Sequence, residues 1–126
     1  MKNIILGSVF AVVAITSISA NAAVQDVCTG AALAGDGATV TGATSGGTFV
    51  RTDFTPKCSA NVFLVGDDPT PTVYRVGAAS QKGKTRFNGS TVGGAVAPVS
   101  TGDPKCAAAT CVQGDARTAA AAAPSS

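Results

Sequence analysis

Residues 61–88 read NVFLVGDDPTPTVYRVGAASQKGKTRFN, and this stretch decides the fold. Asn61 to Val65 is a short, almost continuous run of β-forming apolar residues, the pattern of a central strand. Gly66-Asp67-Asp68-Pro69-Thr70-Pro71 follows with the strongest breakers and predicts a turn that ends the ladder. Thr72 to Ala79 then alternates, with Tyr74 and Val76 on one face and Val73 and Arg75 on the other. After Ser80-Gln81-Lys82-Gly83, the segment Lys84 to Asn88 returns as the hairpin partner.

Outward from this unit the strands become weaker. Phe49 to Thr55 alternates, with Val50, Thr52 and Phe54 on one face. Ala38 to Thr41 is a short strand bracketed by glycine, and Val92 to Val99, broken by Gly93-Gly94 and Pro98, is an edge or a loop. Single helical turns fit Thr29–Leu33 and Ala107–Cys111. Glycine, threonine, valine and alanine dominate while glutamate is absent, which favours strands over helices. The expected class is all-β, a small antiparallel β-sandwich or open barrel.

The two ends read differently. Met1-Lys2, the apolar stretch Ile4 to Ile18 and Ala20-Asn21-Ala22 form a secretory signal of bacterial style, residues 1–22. Cleavage there leaves about 104 residues with a net charge near +1, which selects neither nucleic acid nor an anionic membrane. Nothing downstream predicts membrane insertion after cleavage. Residues 23–112 form the expected secreted β domain, and 113–126, with Ala119 to Ala123 and Pro124-Ser125-Ser126, read as a flexible tail lacking a large apolar anchor.

The pool of large side chains is small: no Trp, Tyr74 alone, and five Phe of which Phe10 lies in the signal. Covalent support compensates for a core of this size. Cys28, Cys58, Cys106 and Cys111 allow three pairings, and the four-residue spacing favours Cys106 with Cys111, leaving Cys28 with Cys58. Closing the longer loop restricts the unfolded chain by about 3 to 4 kcal/mol. A four-thiolate metal site is disfavoured, because there is no C-x-x-C knuckle and no histidine.

The missing histidine also removes the usual general base, and no catalytic constellation or cofactor motif is present, so an enzyme is not expected. Asp36, Asp67, Asp68 and Asp103 sit beside Gly or Pro as turn residues, and Asp67-Asp68 lacks a calcium-loop pattern. Asn88-Gly89-Ser90 fits a glycosylation acceptor, though Asn-Gly is also a tight-turn pair. Arg75, Lys82, Lys84 and Arg86 form a basic hairpin that either protects an edge or contacts a ligand.

Small exported domains of this composition resemble fimbrial and biofilm-fibre subunits. That resemblance implies a structural protein that pairs strands with other copies of itself into a surface or extracellular-matrix filament. The segments free to reach a neighbour are Ala23, Val24, Gln25, Asp26 and Val27, and the flexible C-terminal tail. The alternative is a soluble secreted or periplasmic binding module, an inhibitor or a glycan or surface ligand, using the basic hairpin or the Cys106–Cys111 loop.

Overall fold

The apolar run beginning at Val62 forms β4 (Val62–Thr70), and the alternating segment after it forms β5 (Val73–Ser80). The structure, a computed structural model, describes residues 24–42 and 49–125; the expected signal and Ala23 lie outside the described residues. β5 returns as β6 (Arg86–Ser90), with Val76 opposite Gly89 and Ala78 opposite Phe87. The N-terminal strand β1 (Gln25–Thr29) pairs along the other side of β4, and β7 (Ala97–Pro98) closes on β6. The result is an antiparallel sheet in the order β1-β4-β5-β6-β7. A separate two-stranded ladder joins β2 (Gly35–Asp36) to β3 (Lys57–Cys58). The chain is all-β in class with a single helix among the described residues.

Both disulfides form in the favoured pairing, with Cα separations of 5.7 Å for Cys28–Cys58 and 5.2 Å for Cys106–Cys111. Each lies in its own apolar cluster. Cys106 and Cys111 join Phe63, Val65, Ala79, Ala116 and Ala120 on one face of the sheet. Cys28 sits with Val27 and Val40 at the β1 end, where Cys58, Val50 and Leu64 pack against it.

The Gly-Asp-Asp-Pro stretch does not end the ladder. Gly66 still pairs with Val76 and Asp67 with Arg75, and an irregularity between Asp67 and Thr70 accommodates Pro69. Cross-strand contacts supply the reason: Arg75 donates to the Asp67 carboxylate, and the Tyr74 ring lies over Gly66. A proline is tolerated where the ladder is already broken by a bulge. Asn88-Gly89 likewise lies inside β6 rather than at a turn. Asn88 is only 7% exposed and its side-chain amide donates to Ala119 O at 3.3 Å, so the acceptor pattern is closed to a glycan.

Two weaker strands are reduced to one bridge, in which Val40 and Phe54 exchange backbone hydrogen bonds of 2.8 and 3.1 Å. The short helices expected at Thr29–Leu33 and Ala107–Cys111 do not form.

The largest departure is at the C-terminus, where the segment read as a flexible tail contains α1 (Gln113–Ala121). Val112 N–H donates to the Asp115 carboxylate at 2.9 Å, while Asp115 N–H donates back to Val112 O at 3.0 Å, which ties the residue before the helix to its first turn. Ala116, Ala119 and Ala120 are buried against the sheet. They reach it because Gly77 has no side chain: a Cβ there would overlap Ala116 O and Ala120 N. Alanine buries little area, but packing directly on a strand backbone offsets the nucleation cost that an isolated helix of this length cannot meet.

Candidate functional site

With α1 covering one face of the sheet, the opposite face is set by register. Residues directly opposite in an antiparallel pair point to the same side. Tyr74, Val76 and Ala78 of β5 therefore share that side with Gly66 of β4 and with Gly89 and Phe87 of β6. The Val40–Phe54 bridge covers only the β1 end, through the cluster that contains Leu64.

Tyr74 is the centre of this face. Phe49 stacks on it with ring centroids 6.2 Å apart and planes 28° apart. Asp68 fixes Phe49 in place by accepting hydrogen bonds from Phe49 N at 2.9 Å and Val50 N at 3.3 Å. Burial, then the charges of Asp68 and Asp67, push the Tyr74 phenol above its ordinary pKa, so it stays a neutral donor. Among the described residues no partner is found for the phenol oxygen.

Two concavities flank the ring. One, of about 200 Å³, is lined by Tyr74, Val76, Gly89, Ser90, Thr91 and Val96. The other, of about 110 Å³, lies under Val40, Phe54 and Pro56 and shares Tyr74 and Val76 as its wall. Around them Phe49 (39%), Phe54 (48%) and Val96 (65%) are exposed, and Phe87 (39%), opposite Ala78, is exposed further along the same face. Four of the five aromatic side chains among the described residues thus gather on the helix-free side, while Phe63 enters the core beneath α1. An exposed apolar face of this kind is the informative departure from an ordinary surface.

The basic hairpin does not form one patch. Arg75 faces α1, pairs with Asp67 and donates to Ala121 O at 3.4 Å. Arg86 lies opposite Ala79, about 13 Å along β5 from Arg75 at the strand rise, and donates to Asp103 O. Its buried Nε has no partner among the described residues. Lys82 and Lys84 remain exposed at the β5–β6 turn. The sequence shows the four cations on one hairpin but not that two are spent inside the fold.

The N-terminal segment is likewise in place rather than free. Gln25 to Val27 lie in β1; Val27 O accepts from Ala38 N at 2.8 Å, and Gln25 donates to Thr39 O. Asp26 accepts from Arg117 Nε at 2.9 Å and Gln113 Nε2 at 3.0 Å. The Arg117 hydrogen bond, helped by Gln113, outweighs burial and holds the Asp26 carboxyl below its usual range. Asp67 and Asp68 are also occupied, by Arg75 and by backbone amides, which leaves neither as an open cation ligand. Asp115 comes within 4.8 Å of Cys106 and Cys111, whose sulfurs are bonded to each other while Asp115 caps α1.

Sequence reasoning missed the aromatic face. Its signal was present in Tyr74 and Val76 on one side of β5, but Phe49 and Phe54 come from a segment whose alternation forms only one bridge, and Val96 from a segment broken by glycine. Comparison with protein-family models, with curated proteins and with solved structures finds no match to this chain.

Proposed function

We propose that this chain is an exported, non-catalytic binding module whose contact surface is the helix-free face around Tyr74. The observation that supports it is the gathering of Phe54, Tyr74 and Phe49, which stacks on Tyr74, beside two concavities on the face that also exposes Phe87, in a protein with few large side chains to spare. The two disulfides suit a non-reducing environment, and no helix among the described residues is long and apolar enough to cross a membrane. Export through residues 1–22 is part of the proposal.

Self-association into a filament by strand pairing is the competing reading. It needs an open edge, and both candidate edges are managed: β1 by Ala38 and Thr39, and β7 by its two-residue length and Pro98. The processed protein is expected to stay monomeric in light scattering at high concentration. It is also expected to co-sediment with at least one insoluble extracellular polymer from a panel of polysaccharides, cell-wall sacculi and collagen. Phe54→Ser with Phe87→Ser should abolish that retention, Lys82→Ala with Lys84→Ala should preserve it, and added salt should have little effect. Regular fibres by negative-stain microscopy, or retention lost only with the lysines, would overturn the proposal.

A further inference from the structure

We propose that the Asp103–Pro104 peptide bond is a self-processing site, cut once within the chain by the Asp103 carboxyl while Arg86 holds the carbonyl. This goes beyond the binding-module reading and does not depend on it. The proline nitrogen belongs to a tertiary amide and is more basic than other peptide nitrogens, which makes it a better leaving group. An aspartate side chain also closes a five-membered ring on its own carbonyl carbon, so an Asp–Pro bond carries its nucleophile with it. The sequence has two such bonds, Asp68–Pro69 and Asp103–Pro104, and the fold treats them oppositely. Asp68 is buried, with one carboxylate oxygen accepting from Phe49 N and the other from Val50 N, which blunts it as a nucleophile.

Asp103 is exposed. Its Oδ1 accepts from Lys105 N at 2.8 Å, which folds the carboxyl over the Asp103–Pro104 bond and leaves Oδ2 without a partner among the described residues. Arg86 holds the same bond from β6: its guanidinium donates to Asp103 O and its backbone N–H to Pro104 O at 2.7 Å. Among the described residues Arg86 makes no ion pair, so its permanent charge is directed at the carbonyl oxygen where negative charge develops during attack. Gly102, at φ +87°, turns the chain into this position, and the space around it is open to water.

The step needs only water. A carboxyl oxygen of Asp103 bonds to the Asp103 carbonyl carbon, and the bond from that carbon to the Pro104 nitrogen breaks. The proton carried by the carboxyl goes to the nitrogen, which leaves as the secondary amine of a new N-terminal Pro104. Water then opens the five-membered anhydride to the two carboxyls of a C-terminal Asp103. Neither disulfide spans the cut, since Cys28–Cys58 lies before it and Cys106–Cys111 after it. Residues 104–126, which include α1, are then held to the sheet by non-covalent contacts alone, so the cut makes α1 a detachable cover.

The test is incubation of the processed protein in mildly acidic buffer with protease inhibitors, folded or unfolded in urea, read by intact mass and by non-reducing denaturing gels. In the folded protein Asp103–Pro104 should be cut at least about 10-fold faster than Asp68–Pro69, whereas in urea the two bonds should be cut at similar, slower rates. Hydroxylamine should capture the anhydride as a hydroxamate on Asp103, and Asp103→Ala should abolish the cut. Arg86→Gln should slow it about 10- to 100-fold, less than an enclosed oxyanion hole is worth because this site is open to solvent. Arg86→Lys, which keeps the charge, should fall between Arg86→Gln and the parent. The proposal is overturned if the folded protein is not cut at Asp103–Pro104, if it is cut there no faster than at Asp68–Pro69 or than in urea, or if the cut leaves no hydroxamate. It is equally overturned if either Arg86 variant, with β4 and β5 amide protection like that of the parent, is cut as fast as the parent.

Discussion

At the scale of single residues, the chain places its few large side chains by pairing them with glycine. Tyr74 spreads over Gly66, where any side chain would collide with the phenol, so the ring is held flat across β4 while staying half-buried. Asp68 completes the arrangement by fixing Phe49 above it. The sequence shows Asp67 and Asp68 as turn formers because their partners are remote: Arg75 lies across the hairpin and the Phe49 amide nineteen residues upstream. Tyr74 is the single tyrosine, so tyrosinate absorbance reports it alone. Its midpoint in the native protein should lie above the ordinary value of about 10, because burial and then the charge of Asp68 disfavour the phenolate. Since the folded value is raised, the associated stability is intact below pH ~10 and is lost as pH rises through the folded midpoint. Asp68→Asn should bring the midpoint back toward 10, and a native midpoint at or below 10 would remove this account of the site.

At the scale of elements, the central hairpin was legible in the sequence and the helix was not. β4 and β5 are long enough for alternation and apolar content to speak locally, and the return strand follows from the connecting turn. α1 carries no large apolar residue, so a single-sequence reading gives it nothing to dock against. What holds it lies elsewhere in the chain: Gly77 opens the strand surface, Asp26 binds Arg117 and Gln113, and Arg75 reaches Ala121 O. The basic hairpin and the N-terminal arm are divided for the same reason, since Arg75, Arg86 and Gln25 to Val27 make contacts across the fold while Lys82 and Lys84 stay exposed. Two glycine substitutions separate close packing from helix propensity. Gly77→Ala should lower stability by about 1–3 kcal/mol, because the overlap is with helix backbone that no rotamer change relieves. Gly114→Ala, inside α1 with open space around it, should raise stability by about 0.5 kcal/mol. Denaturant melts of both variants provide the check; a neutral Gly77→Ala would mean that α1 does not rest on β5 as described.

At the scale of the whole molecule, the sheet separates two apolar clusters too small for a single continuous core, and each contains one disulfide. The pairing was readable from spacing, yet the allocation of one bridge to each side of the sheet depends on α1 and on the Val40–Phe54 bridge, which local sequence did not reveal. Cys28–Cys58 spans 30 residues and ties β1 to β3, so its loop-closure contribution is about 3–4 kcal/mol. Cys106–Cys111 spans only 5 residues and contributes about 2 kcal/mol by the same reasoning. Its position adds a second effect: Cys111 is 0% exposed and belongs to the cluster that seats Ala116 and Ala120. The paired variants should therefore fail differently. Replacing Cys28 and Cys58 with alanine should lower the melting temperature of the entire domain by about 15–25 °C, with sheet and helix melting together. Replacing Cys106 and Cys111 should first loosen α1, seen as faster amide exchange over 113–121 while β4 and β5 keep their protection. If both variants melt like the parent with unchanged exchange, apolar packing alone suffices to hold the two sides of the sheet; if the second variant loses β4 protection as early as α1, the two clusters are one cooperative unit and the division drawn across the sheet fails.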